Sequence, residues 1–217
     1  MLQPYGDAMT RLNKDLFKVF IPQDISQHQL AVAITLVSIL YMIFMPATEW
    51  MIYQREAVDQ GQWWRLFTAN LSHSNWNHWG LNILGLWLID LFFQPVLSQV
   101  VRNALLLFAM IFNLLMLHFW VDINAYVGLS GALHGYVIGA ALITWRSDPF
   151  IHLTMAVVII GKLIIESIWH INQSTELLIG TNVVEESHAF GGVAAIIFVI
   201  IYYILVKTGQ IKTAALN

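Results

Sequence analysis

Six apolar runs, each near the length of a bilayer crossing, leave this chain few ways to fold. They extend approximately over Gln29–Met45, His78–Val96, Val101–Trp120, Ser130–Trp145, Phe150–Trp169 and His188–Val206. A helix of about 20 residues crosses roughly 30 Å of hydrocarbon, where backbone N–H and C=O groups must be satisfied internally. The pattern therefore predicts an all-α polytopic membrane protein, a six-helix bundle occupying residues 29–206. Pro46, Pro95 and Pro149 punctuate segment ends. The fourth run is short for a full crossing and is expected to begin below the membrane surface. Composition agrees, with 58% hydrophobic residues and only 11% charged, against roughly a quarter charged in soluble domains. A net charge of -3 offers no basic surface for nucleic acid, and the lack of cysteine removes thiol catalysis, disulfides and cysteine-based metal sites.

Residues 1–28 form a polar, mixed-charge segment ahead of the first run, so no cleavable signal peptide is expected. Within it Met9, Leu12, Leu16, Phe17 and Phe20 recur at helical spacing opposite Arg11, Lys14 and Lys18. This suits a short helix on the cytoplasmic interface, or an ordinary frayed terminus. Residues 207–217 form a short tail. Arg11, Lys14, Lys18, Arg102, Arg146, Lys207 and Lys212 fall on one side of a six-helix arrangement, and only Arg55 and Arg65 on the other. Cytoplasmic loops favour Lys and Arg, so both termini are expected inside. Helices two, four and six then all start from the outer side. That brings His78, Ser130 and His188 to similar depth.

Ser130 lies in Gly128-Leu129-Ser130-Gly131, where a polar loop gives way to an apolar run. First-turn N–H groups of a helix lack intrahelical partners, and the helix dipole adds partial positive charge. A serine there has oxyanion donors beside it, while the glycines leave room for a peptide backbone. The same residues also fit a close-packed helix start. A serine hydroxyl needs a base, and His188 is the candidate, because intramembrane histidines are costly and titrate near neutrality. A helix-capping role is its structural alternative. Small-residue stripes, Gly131-Gly135-Gly139 and Gly191-Gly192-Ala195, permit close approach of the two helices.

His78 and Asn82, four apart on one face, can both donate hydrogen bonds to a developing oxyanion. His73, in the preceding loop, is expected to be structural. His134, one turn after Ser130, is expected to pack against His188 or compete with it for the serine. Glu185 and Glu186 precede His188 and could orient its ring, or simply be solvated. Lys162 and Glu166, at i and i+4 on helix five, are expected to pair with each other, or to meet polar parts of a substrate.

Together, Trp64-Arg65, His78-x-x-x-Asn82, Gly128-x-Ser130-Gly131 and His188 followed by Gly191-Gly192 resemble the rhomboid family of intramembrane serine proteases. The resemblance spans about Gln29 to Val206. It implies a Ser130–His188 dyad without an acidic third member, and His78 and Asn82 lining an oxyanion hole. It also implies a first loop, with Trp50, Trp63 and Trp64, lying partly in the membrane. Helix five and the loop above helix six would gate lateral access. Many rhomboids carry a tyrosine where this chain has His134. The Leu-Ser-Gly-x-Leu-His-Gly form, with acidic residues before His188, resembles the bacterial rhombosortase branch. Members of that branch are thought to process proteins bearing a C-terminal Gly-Gly motif, a membrane helix and a basic tail.

The expected function is thus a cofactor-free serine endopeptidase of a bacterial inner (plasma) membrane, cleaving transmembrane substrates near the extracytoplasmic face. One alternative is a metal-dependent membrane hydrolase using His73, His78, His134 and His188. Another is an inactive rhomboid-like binder of membrane clients.

Overall fold

The computed structural model describes residues 24–45, 48–169 and 173–213. The amphipathic stretch from Met9 to Phe20 and the end of the tail lie outside them. A 3-10 turn, Ile25–His28, leads into α1 (Gln29–Ile43). The first loop holds β1 (Tyr53–Gln54), α2 (Arg55–Asp59) and α3 (Arg65–Thr68). There follow α4 (Trp76–Phe93), α5 (Gln99–Trp120), β2 (Ala125–Tyr126) and α6 (Ser130–Thr144). The chain closes with α7 (Pro149–Trp169), α8 (Gln173–Ile179) and α9 (Glu185–Lys207).

Each of the six apolar runs contains a helix, but the helices are not equivalent. Four, among the described residues, are long and apolar enough to cross a bilayer: Ile25–Ile43, Gln99–Trp120, Pro149–Trp169 and Glu185–Lys207. Helix α4 carries His78, Asn82 and Asp90 within its 18 residues. Helix α6 has only 15 residues, about 22 Å at 1.5 Å per residue.

Helix α6 is the hub, packing against α4, α5, α7 and α9. Its Ala132, Tyr136, Ile138, Ala140 and Ala141 are fully enclosed. Outward faces of the surrounding helices carry exposed Leu36, Leu84, Val157, Ile164, Ile200 and Ile204. Such an apolar exterior is tolerable in lipid and would be an aggregation hazard in water. The tightest seam lies between α6 and α9. A Cβ placed on Gly191 would collide with the Gly131 carbonyl oxygen, so the two backbones touch there, next to Ser130 and about one turn from His188.

The two basic residues that ran against the charge bias are occupied by backbone carbonyls. Arg55 reaches the carbonyls of His118 (2.7 Å), Ile123 (3.2 Å) and Val121, satisfying the end of α5 where no intrahelical donor is available. Arg65, buried, donates to Glu49 O at 2.8 Å and Ile52 O at 2.6 Å. Strand β1 pairs antiparallel with β2, Tyr53 opposite Tyr126 and Gln54 opposite Ala125. The Gly128 N–H donates to Ala69 O at 3.0 Å. The first loop is thereby fastened to the turn that delivers Ser130.

At the other end of α4 lies a buried ionic cluster that the sequence did not advertise. Asp90 accepts from Arg102 Nε at 3.0 Å and from Tyr136 Oη at 2.5 Å, and His28 Nδ1 lies 2.5 Å from its second oxygen. Arg102 also donates to the carbonyls of Gln27 (2.5 Å) and Leu97 (2.8 Å). The cluster ties the turn before α1 to α4, α5 and α6.

Candidate active site

Three elements converge at the opposite end of the bundle. Ser130 opens α6, so the N–H groups of its first turn are free of intrahelical partners. His188 sits in the first turn of α9, buried, and its Nε2 lies 3.1 Å from Ser130 Oγ. The Gly131–Gly191 backbone contact explains this reach, because any side chain there would push the two helix starts apart.

The second nitrogen of His188 faces an unexpected partner. Glu166 Oε2, on α7, lies 3.1 Å from Nδ1, so that position is filled by Glu166 rather than by Glu185 or Glu186. Glu186 is exposed and Glu185 half-buried. Glu166 does pair with Lys162, at 2.5 Å through its other oxygen, as the i, i+4 spacing predicts. Lys162 Nζ lies 3.2 Å from His134 Nε2, and His134 Nδ1 lies 2.8 Å from the Ser130 carbonyl oxygen. The rings of His134 and His188 stack with centroids 4.2 Å apart.

Behind the site, Ser187 Oγ lies 2.6 Å from Tyr126 Oη and accepts from Asn113 Nδ2 at 3.0 Å. Burial raises the Tyr126 phenol above its usual range, which keeps it a neutral partner. This contact moors the start of α9 to β2 and α5. Sequence reasoning gave these residues no role, because their contacts join positions 74 and 61 residues apart.

On the facing wall, His78 and Asn82 are buried on α4 and look into the same cavity. Asn75 caps that helix, accepting from the His78 N–H at 3.0 Å. Ser74 Oγ lies 3.1 Å from His78 Nδ1. Asn82 Nδ2 is buried without a hydrogen-bond partner among the described residues. Gly128 adopts φ +119°, and a Cβ there would stand 2.7 Å from His78 Nε2. Glycine thus keeps open the space between His78, Asn82 and the serine. His73 does not line this cavity. Its ring sits edge-on to His78 at 5.1 Å, and burial first, then the neighbouring His78, lower its pKa to about 3.

The cavity measures about 380 Å³ and is roofed by residues of α8 and the loop after it, including Thr175, Ile179 and Asn182. Asn77 donates to Leu178 O at 3.0 Å and Asn75 to Ile179 O, hanging this roof from the start of α4.

The four histidines expected of a metal centre do not gather. Among the described residues, ligand atoms converge at His134, Glu166 and His188, within 4.8 Å of one another. The Lys162 ammonium, against both Glu166 and His134, stands where a cation's charge would be repelled.

A rhomboid domain matches residues 60–205, well over half of the chain. The chain belongs to the rhomboid family. Rhomboids are intramembrane serine proteases that act on transmembrane substrates within the bilayer, and the protein is an integral membrane protein. None of the curated proteins compared with it matches. The matched span runs from the first loop through α9 and includes Trp64-Arg65, His78, Asn82, Ser130 and His188. Where many rhomboids carry a stacking tyrosine, this rhomboid has His134 on the face of His188.

Proposed function

We propose that this rhomboid is an active serine endopeptidase in which Ser130 is the nucleophile and His188 the general base, within a six-helix crossing whose termini both face the cytoplasm. The observation that carries the reading is the 3.1 Å contact between Ser130 Oγ and His188 Nε2 beside the roofed cavity. Serine attacks the scissile carbonyl as Nε2 takes its proton, and the imidazolium returns that proton to the leaving amine. His78 Nε2, Asn82 Nδ2 and the Ser130 N–H supply the oxyanion donors. Two features support that role: the unpartnered Asn82 amide and the space kept by Gly128. A proton donated by Ser74 to His78 Nδ1 would leave Nε2–H pointing at the substrate. Neither metal nor cofactor enters this chemistry.

A transmembrane substrate must unwind locally, since a helical peptide bond is shielded by its own hydrogen bonds. Short α6 sets Ser130 below the outer surface, so cleavage falls near the extracytoplasmic end of the substrate helix. The Leu129-Ser130-Gly131-x-Leu133-His134-Gly135 form and the acidic pair before His188 favour rhombosortase-type substrates of a bacterial inner membrane: a Gly-Gly junction, a helix and a basic tail.

The test is co-expression with a reporter whose C-terminal helix follows Gly-Gly. Cleavage at the junction is expected, absent with Ser130→Ala and reduced when the glycines are replaced. Cleavage that persists with Ser130→Ala overturns the catalytic reading. Cleavage indifferent to the glycines removes the finer substrate assignment.

A further inference from the structure

We infer that Glu166 is a positioning residue for His188, and that Lys162, donating to the other carboxylate oxygen, fixes the orientation of Glu166 toward the ring. The inference rests on the reading of Ser130 as nucleophile and His188 as base, and adds to the dyad a member that the family resemblance did not supply.

To accept the serine proton, His188 must present a bare Nε2, so its one ring proton must sit on Nδ1. An ionised carboxylate can only accept a hydrogen bond. Glu166 Oε2, 3.1 Å from Nδ1 and buried with it, therefore selects the productive tautomer. During attack the Ser130 O–H bond breaks as Nε2–H forms, and Oγ bonds the carbonyl carbon while its π electrons pass to oxygen. The imidazolium so created lies against the Glu166 carboxylate, which stays ionised throughout.

A salt bridge between Lys162 and Glu166 alone would not require the second carboxylate oxygen to meet His188. The surrounding bonds form a circuit with one self-consistent assignment of protons. The Ser130 carbonyl accepts only, so His134 carries its proton on Nδ1, 2.8 Å away. Its Nε2 then accepts from Lys162 Nζ at 3.2 Å, and Lys162 donates again to Glu166 Oε1 at 2.5 Å. Glu166 accepts from His188, and His188 accepts from Ser130. Each bond in this circuit pairs a donor with an acceptor. Both strong donors on α7 and α9 thereby hold the carboxylate in a single orientation.

This circuit makes Glu166→Gln informative. Lys162 demands an oxygen, which turns the amide NH₂ toward His188 Nδ1. That nitrogen must then accept, its proton moves to Nε2, and the base is disabled. The readout is the rate at which a fluorophosphonate probe modifies the full-length purified protein in detergent micelles. Wild type should label at Ser130, and Glu166→Gln should label about 10³–10⁴-fold more slowly, the scale of a wrong-tautomer histidine. Adding Lys162→Met frees the amide to rotate its oxygen to Nδ1, so the double variant should label at least about tenfold faster than Glu166→Gln. That rescue, opposite in sign to simple damage, is not expected of a merely structural pair.

Imidazole ¹⁵N spectra of the unsubstituted protein give a measurement independent of whether the variants fold. Neutral His188 should show a protonated Nδ1 and a bare Nε2. A proton on Nε2, a wild-type labelling rate for Glu166→Gln, or a double variant no faster than the single one would overturn the inference while leaving the protease reading intact. Failure of wild type to label at Ser130 at all would overturn that reading itself.

Discussion

The molecule buries two ionic clusters of similar makeup at opposite ends, and they are built to different ends. The Asp90 cluster is closed: Asp90, Arg102, His28 and Tyr136 are all buried, and both carboxylate oxygens are occupied. The Glu166 cluster is open: the Lys162 side chain is 44% exposed, the cavity reaches Ser130, and Asn82 Nδ2 has no partner among the described residues. A satisfied buried ion pair mainly fixes helix positions, and removing one partner leaves an uncompensated charge. An unsatisfied donor beside a nucleophile and a base is instead a place for a ligand to complete. Similar residue types therefore serve architecture at one end and chemistry at the other.

That contrast can be broken by substitution. Ser130→Ala should abolish labelling and cleavage, a loss of about 10⁴-fold or more, while thermal unfolding in micelles changes little. A large fall in melting temperature instead would move Ser130 into the architectural class. Arg102→Met should do the reverse, destabilising the fold by about 3–5 kcal/mol in unfolding titrations. The fraction still folded should label at the wild-type rate. Asn82→Ala should lower kcat by about 10²–10³-fold with KM nearly unchanged, the signature of a donor used in the transition state; a change confined to KM would assign Asn82 to substrate binding. Tyr136→Phe removes one donor to Asp90 and should cost about 1.5–3 kcal/mol of stability, without effect on turnover.

A separate, pH-dependent effect concerns His73, which bridges neither cluster. Its pKa is about 3 in the fold and near 6.5 when unfolded, so between these values only the unfolded chain binds the proton. Stability is full above about pH 6.5 and declines as pH falls toward 3. His73→Phe should flatten that part of the melting-temperature profile, and an unaltered slope would reassign it to other groups.

Much of this was legible in the sequence, and the failures share a cause. Each apolar run contains a helix, though only four of them, among the described residues, are long and apolar enough to cross a bilayer, and His78, Ser130 and His188, expected at one depth, line one cavity. Helix α8, the roof, was missed because seven residues of mixed character carry no periodic signal. Glu166 was visible as an intramembrane carboxylate, but the lysine four residues earlier accounted for it locally. Its second contact depends on how α7 is rotated against α9, which no local pattern encodes. His28 fell outside the expected membrane domain, and Asp90 drew no notice in an otherwise apolar run. Glu185 and Glu186 suggested themselves by nearness in sequence to His188, yet the ring points its Nδ1 at another helix.

The Asp90–Arg102 pair bears on how the chain is made. A solitary carboxylate is disfavoured in hydrocarbon, by about 2.5–3.5 kcal/mol at a helix centre and less toward an end such as that of α4, where Asp90 lies. Its guanidinium partner leaves the ribosome only 12 residues later. With its partner so near in sequence, Asp90 can be neutralised within one α4–α5 hairpin, and His28 and Tyr136 from earlier and later in the chain complete its enclosure.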